Sequence, residues 1–128
     1  ILPHLIIDSI SNAINKSKAK KMYVCNLFTQ PGETDDFKVS DHLKIIMKYI
    51  NNIDVVISNN ENIPYRTRQK YLREEEKDIV KIDKREIEKL NTKLIGDKLF
   101  VFSKEDGTIK HDSLKTSYLI FSYLMDEV

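Results

Sequence analysis

Asn26, Thr29, Gln30, Glu33, Thr34, Asp35 and Asp41 bring carboxamides, hydroxyls and carboxylates into one short stretch of chain, with Pro31-Gly32 in its middle. Carboxamides and hydroxyls donate and accept hydrogen bonds, which is what a sugar, a ribose or a phosphate ester demands of its site. Pro31 sets a rigid corner, and Gly32 can take a positive φ that lets backbone approach a ligand closely. Glu33, Asp35, Asp36 and Asp41 crowd four carboxylates together, an arrangement that is costly unless a metal ion, a base or a helix start compensates it. The structural alternative is a solvated acidic turn in which Asp41 merely caps a helix. Position favours a site, because the carboxylates follow the end of the most apolar strand, the run Met22 to Leu27.

That run reads as a buried strand over Met22 to Leu27 whose carboxyl end delivers Asn26, Thr29 and Gln30 to the surface. Upstream, Leu2, Leu5, Ile6, Ile10, Ala13 and Ile14 recur at helical spacing, so residues 3 to about 17 are expected to form one amphipathic helix opened by Pro3. Downstream, Ser40 or Asp41 caps a helix over 40–50 with Leu43, Ile46, Met47 and Ile50 inward. Ile53 to Ser58 is a second apolar strand, and Asn59 at its tip joins the candidate ligand-binding residues. A helix follows Pro64, then a short strand over 78–82, a short helix over 84–90, a fourth strand over 98–102 and a last helix capped by Asp112 or Ser113. Leu114, Tyr118, Phe121 and Met125 form one stripe of that helix, broadened by Leu119, Ile120 and Leu124.

Alternation of this kind is the signature of parallel strands joined by helical crossovers. The expected fold class is α/β: a Rossmann-like, mostly parallel sheet with helices on both faces. A hairpin around Ile95 to Val101, turning at Gly96-Asp97, is the competing local arrangement. Ligands of open α/β sheets bind outside the carboxyl ends of the strands, where the Asn26–Asp41 stretch falls.

With 128 residues the chain is long enough for one real core, burying about 65% of its unfolded surface. A net charge of +1 argues against nucleic acid as partner, since phosphate neutralisation calls for a basic excess. A single cysteine forms no internal disulfide and, with no apolar run of membrane-spanning length, fits a cytoplasmic setting. His4, His42 and His111 with one cysteine do not make a structural zinc site. His42 reads as a packing or surface residue. Arg66, Arg68, Lys70 and Arg73 place cations early in a helix, against its dipole, and suit either an acidic ligand or a solvated charged face. No glycine-rich phosphate loop and no nucleophile elbow is present in the sequence.

The run Tyr23-Val24-Cys25-Asn26-Leu27-Phe28-Thr29-Gln30-Pro31-Gly32-Glu33-Thr34-Asp35, continued by Val39-Ser40-Asp41-His42, closely resembles the YvcK-like, CofD-related family of gluconeogenesis factors. Weaker likeness extends through Ile1-Leu2-Pro3, Asp54-Val55-Val56-Ile57, the Pro64 region and His111-Asp112. Members of that family are longer, with a glycine-rich nucleotide-binding loop in an N-terminal half, so the resemblance implies that residues 1–128 form the C-terminal portion of a Rossmann-like domain. One departure is Asp36, where the family pattern favours glycine.

The resemblance implies a cytoplasmic, nucleotide-sugar-binding regulatory protein required for growth on gluconeogenic carbon sources and for cell shape. Its implied ligand is a UDP-sugar such as UDP-N-acetylglucosamine, and Asn26, Thr29, Gln30, Gly32, Glu33, Thr34, Asp35 and Asp41 are the positions matching the family motif. The alternative is a CofD-like 2-phospho-L-lactate transferase acting on a deazaflavin acceptor, and magnesium enters only with that alternative. A third reading makes the segment an interaction surface within a homo-oligomer.

Overall fold

The structure, a computed structural model, describes residues 1–126. Its elements run α1 (Leu2–Leu5), α2 (Asp8–Lys16), β1 (Met22–Val24), α3 (Val39–Ile46), β2 (Val55–Asn59), α4 (Tyr65–Glu75), α5 (Lys84–Lys89), β3 (Lys93–Asp97), β4 (Phe100–Phe102), β5 (Ile109–His111) and α6 (Ser113–Asp126). Strands β1, β2 and β3 form a parallel sheet in that order, with Tyr23 opposite Val56 and Val56 opposite Leu94. β4 and β5 form a separate antiparallel hairpin.

Strand β2 shows why helices lie on both faces. Successive strand side chains point to opposite sides, and β2 is buried along Val55, Val56, Ile57 and Ser58. Val56 packs with Leu5, Cys25, Val39, Leu43, Ile46 and Ile87, the layer of α3 and α5. Val55 and Ile57 pack with Ile63, Tyr71, Leu99, Phe100 and Tyr123, the layer of α4, the hairpin and α6. Each aliphatic side chain fully buried this way contributes about 1.5–3 kcal/mol, so β2 anchors two cores at once. The α/β class with a mostly parallel sheet, expected from the alternation, is the fold observed.

Several local expectations change. The first helix is two: Ile7 is extended at φ −84°, ψ 110°, and Asp8 starts a new helix with its carboxylate in the first turn. Residues 78–82 are no strand of the sheet but a strap. Thr29 N–H donates to the Asp78 carbonyl at 2.8 Å, Val80 N–H to Leu27 at 2.9 Å, and Val39 N–H to Lys81 at 3.0 Å. The third parallel strand is Lys93–Asp97, and Phe100–Phe102 belongs to the hairpin rather than to a fourth strand of the sheet. Gly96, the penultimate residue of β3, lies under the Asn60 side chain, whose Nδ2 would stand 3.0 Å from an added Cβ. The hairpin turn lies later, where Gly107 takes φ +68° and Asp106 Oδ1 accepts from Thr108 N–H at 3.0 Å.

Asp112 caps α6 as expected, its Oδ1 accepting from Lys115 N–H at 2.9 Å. The apolar stripe of that helix faces out: Leu114, Tyr118 and Phe121 are 82%, 64% and 63% exposed, while Tyr123 reaches the core. Among the described residues no helix is long and apolar enough to cross a membrane.

Candidate functional site

The β1 strand hands its last ladder bond to Cys25, whose N–H donates to the Ile57 carbonyl at 2.9 Å, and Asn26 then emerges at the carboxyl edge of the sheet. From there to α3 the chain folds on itself. Glu33 and Thr34 N–H groups donate to the Gln30 carbonyl at 3.1 and 2.9 Å. Gln30 N–H donates to Thr34 Oγ1 at 2.8 Å, and Gly32 N–H to Asp35 Oδ2 at 2.8 Å. Gly32 sits at φ +77°, as its place after Pro31 predicts.

Two of the four crowded carboxylates are engaged by local backbone N–H groups. Asp35 closes the turn, and Asp41 accepts from Lys38 N–H at 2.8 Å in the first turn of α3, where the helix dipole favours a negative charge. Among the described residues no group of three or more His, Cys, Asp or Glu side chains is placed to hold a metal ion. Asp36 adopts φ +58°, a left-handed conformation that favours glycine. α3 is held at its start by Asp83, whose carboxylate accepts from Ser40 N–H at 3.0 Å and from the Ser40 hydroxyl.

The motif residues therefore divide into two sets. Thr29, buried, accepts from Asp78 N–H at 3.1 Å, and with Thr34, Asp35 and Asp41 its oxygen serves the local backbone. Asn26, Gln30 and Glu33 are exposed and, with no intramolecular partner among the described residues, are the side chains available to a ligand. Asn59 stands elsewhere on the carboxyl edge. Its Oδ1 accepts from Leu99 N–H at 3.1 Å and its Nδ2 donates to the Glu61 carbonyl at 2.8 Å, so its amide braces a loop. It lines a separate groove of about 440 Å³ with Asn60, Lys81 and Lys84.

Asn26 and Gln30 form a ridge shared by two hollows. On one side, about 340 Å³ is lined by Lys77, Lys110 and His111 together with Thr29. On the other, about 450 Å³ is lined by Tyr23, Phe37, His42, Ile45, Glu33 and Thr34. The first takes its positive charge mainly from Lys110, which extends from β5, since Lys77 Nζ is already paired with the Glu75 carboxylate at 2.9 Å. The second is aromatic. Burial lowers the pKa of His42 and of His111, keeping both imidazoles neutral near pH 7. Phe37 meets the His42 ring edge-on at 5.4 Å, and Tyr23 lies 6.4 Å away.

His42, expected as a packing or surface residue, lines the aromatic hollow with Tyr23 and Phe37, and neither these two nor Lys77 and Lys110 carry a site signal in the sequence. The pairing that brings Lys110 and His111 to Asn26 depends on the β4–β5 hairpin, whose turn at Asp106-Gly107 is its only local signal. Arg68, read as a cation for an acidic ligand or a solvated face, instead forks onto Asp78 at 2.7 and 2.8 Å and pins the strap to α4.

A family model described as "2-phospho-L-lactate transferase CofD" matches residues 1–100. The chain belongs to the CofD-related, YvcK-like family. Within that family it is 40% identical over 124 residues to a Thermotoga maritima relative, covering 94% of this chain and 38% of the relative. It is 32% identical over 128 residues to the Gluconeogenesis factor of Bacillus subtilis, covering 98% of this chain and 39% of that protein. A crystal structure of a UPF0052-family protein from Bacillus halodurans superposes with a TM-score of 0.86 at 33% identity, over 94% of this chain and 38% of that one. The chain thus spans less than two fifths of the length of these family members.

Proposed function

We propose that this segment forms one wall of a nucleotide-sugar site in a regulatory protein of the gluconeogenesis-factor type. The implied ligand is a UDP-sugar such as UDP-N-acetylglucosamine, and the implied roles are growth on gluconeogenic carbon and maintenance of cell shape in the cytoplasm. The observation that carries the reading is the Asn26–Gln30 ridge, with carboxamides facing a cationic hollow on one side and an aromatic one on the other. Lys77 and Lys110 suit a diphosphate, and the exposed amides suit ribose or sugar hydroxyls. Gly32 leaves space above the turn, since nothing lies within 4 Å of a Cβ added there.

Calorimetric titration of the full-length protein with UDP-N-acetylglucosamine tests the reading. Saturable heat that Asn26→Ala or Gln30→Ala weakens supports it, and no heat with the intact protein overturns it.

A second reading rests on the description of the matching family model. A 2-phospho-L-lactate transferase would need magnesium and a deazaflavin acceptor. Incubation with donor, acceptor and magnesium should then yield phosphodiester product, whereas absence of product alongside UDP-sugar binding leaves the regulatory reading in place.

A further inference from the structure

We propose that the aromatic hollow receives the flat base of the bound nucleotide and that His42 is the group hydrogen-bonding it at the back, the phosphates crossing the Asn26–Gln30 ridge towards Lys110. The inference rests on the nucleotide-sugar reading and adds its polarity and a recognition residue. His42 is 7% exposed and belongs to the wall of the hollow. Its Nε2 is buried, and it is the one side-chain nitrogen or oxygen among the described residues that is buried with no hydrogen-bond partner. A buried polar atom left unpaired destabilises the fold, and its persistence beside a cavity is explained by a partner that arrives with the ligand.

The groups around His42 define that partner. Tyr23 and Phe37 offer ring faces and edges to a planar group, and Ile45 and Ile46 make the remaining wall apolar. Burial, the largest influence on its titration, keeps the imidazole uncharged, with Asp41 opposing weakly from the preceding position. In a neutral imidazole Nε2 is either the donor or the acceptor, according to tautomer, so it can pair with a C=O or an N–H on the edge of a pyrimidine base. Asn26 and Gln30 present the same dual character at the mouth. Glu33, also at the mouth, repels phosphate and accepts from N–H or O–H. Charge therefore orients the ligand: phosphates are disfavoured on the Glu33 side and favoured on the Lys77 and Lys110 side. Reaching Nε2 requires the imidazole to tilt towards the hollow, so binding should move its resonance.

The test uses full-length protein with 15N-labelled histidine and three probes: UMP, inorganic diphosphate and UDP-N-acetylglucosamine. UMP and the UDP-sugar should shift the His42 Nε2 resonance, and diphosphate should not. His42→Phe, which keeps ring volume, should weaken UMP and UDP-sugar about tenfold or more, the loss of one buried hydrogen bond, with diphosphate affinity retained. His42→Gln, which restores a donor and an acceptor, should recover part of that loss. An unmoved Nε2 resonance with UDP-sugar bound overturns the role of His42 and leaves the nucleotide-sugar reading standing. No UDP-sugar binding at all removes that reading and this inference together. Should His42→Phe fail to fold, the resonance shifts of the unmodified protein decide.

Discussion

At the scale of single residues, the motif does two jobs that its composition does not separate. Thr34, Asp35 and Asp41 fold the loop, while Asn26, Gln30 and Glu33 face outwards. Hydroxyl and carboxylate side chains accept equally well from a ligand and from a neighbouring backbone N–H, so residue type alone cannot assign them. Asp36 shows a cost the loop carries. Its left-handed φ of +58° disfavours any side chain, by about 1 kcal/mol, partly offset in an Asp36→Gly variant by the freer unfolded chain. Asp36→Gly should therefore raise the urea midpoint slightly, and a lowered midpoint would assign the Asp36 carboxylate a stabilising contact.

Asp78 offers a pH test at the same scale. The Arg68 fork, followed by the Ile79 N–H and nearby cations, lowers its pKa in the folded protein. A depressed folded pKa gives stabilisation that is complete above the unfolded carboxylate value of about 4 and is lost as pH falls through the folded value. The pair is about a third exposed, so its contribution is about 1 kcal/mol at most. Asp78→Asn, which retains an acceptor for Ile79, should lower stability at about pH 7 and match the parent protein near pH 2. An equal deficit at both pH values would show that geometry rather than charge is at stake.

At the scale of elements, type was readable where period was strong, and pairing was not. α3 and α5 follow their apolar spacing and β1 and β2 their β-branched runs, but α3 begins at Val39, with Lys38 rather than Ser40 or Asp41 at its cap position, and α4 buries Tyr71 while Tyr65 stays exposed. The strap over 78–82 has the composition of a strand, yet its partners are Leu27, Thr29 and Val39, fixed by tertiary position rather than by local pattern. The hairpin escaped for the same reason, and with it the cationic hollow. One cross-link holds the site's helix: Asp83, just ahead of α5, accepts two hydrogen bonds from Ser40 at the start of α3. Ser40 is buried, so Asp83→Ala leaves its donors unmet and should cost about 2 kcal/mol. Asp83→Asn should restore part of this, and chemical denaturation of the three proteins measures both.

At the scale of the whole molecule, the two packed layers meet at β2 and the outer face of α6 stands apart from both. Its stripe was legible in the sequence, but periodicity identifies an apolar face without saying which way it points. Phe121→Ser should change stability by no more than about 0.5 kcal/mol, whereas Tyr123→Ala should cost about 3 kcal/mol or more. Thermal unfolding of both variants checks the orientation of the helix directly.

Cys25 gives these layers a built-in clock. It is the only thiol in the chain, 1% exposed, and burial pushes its pKa up to about 12. The reactive thiolate is thus scarce while the strand is in place, and labelling can proceed only through opening events. The residue immediately precedes Asn26, so the same events dismantle the ridge. With ligand at about a hundred times its Kd, closed protein gains about 2.7 kcal/mol, and thiol labelling should slow about a hundredfold. Undiminished labelling at saturation would mean that the strand end opens with ligand still attached. A single native thiol then reports occupancy as elapsed time.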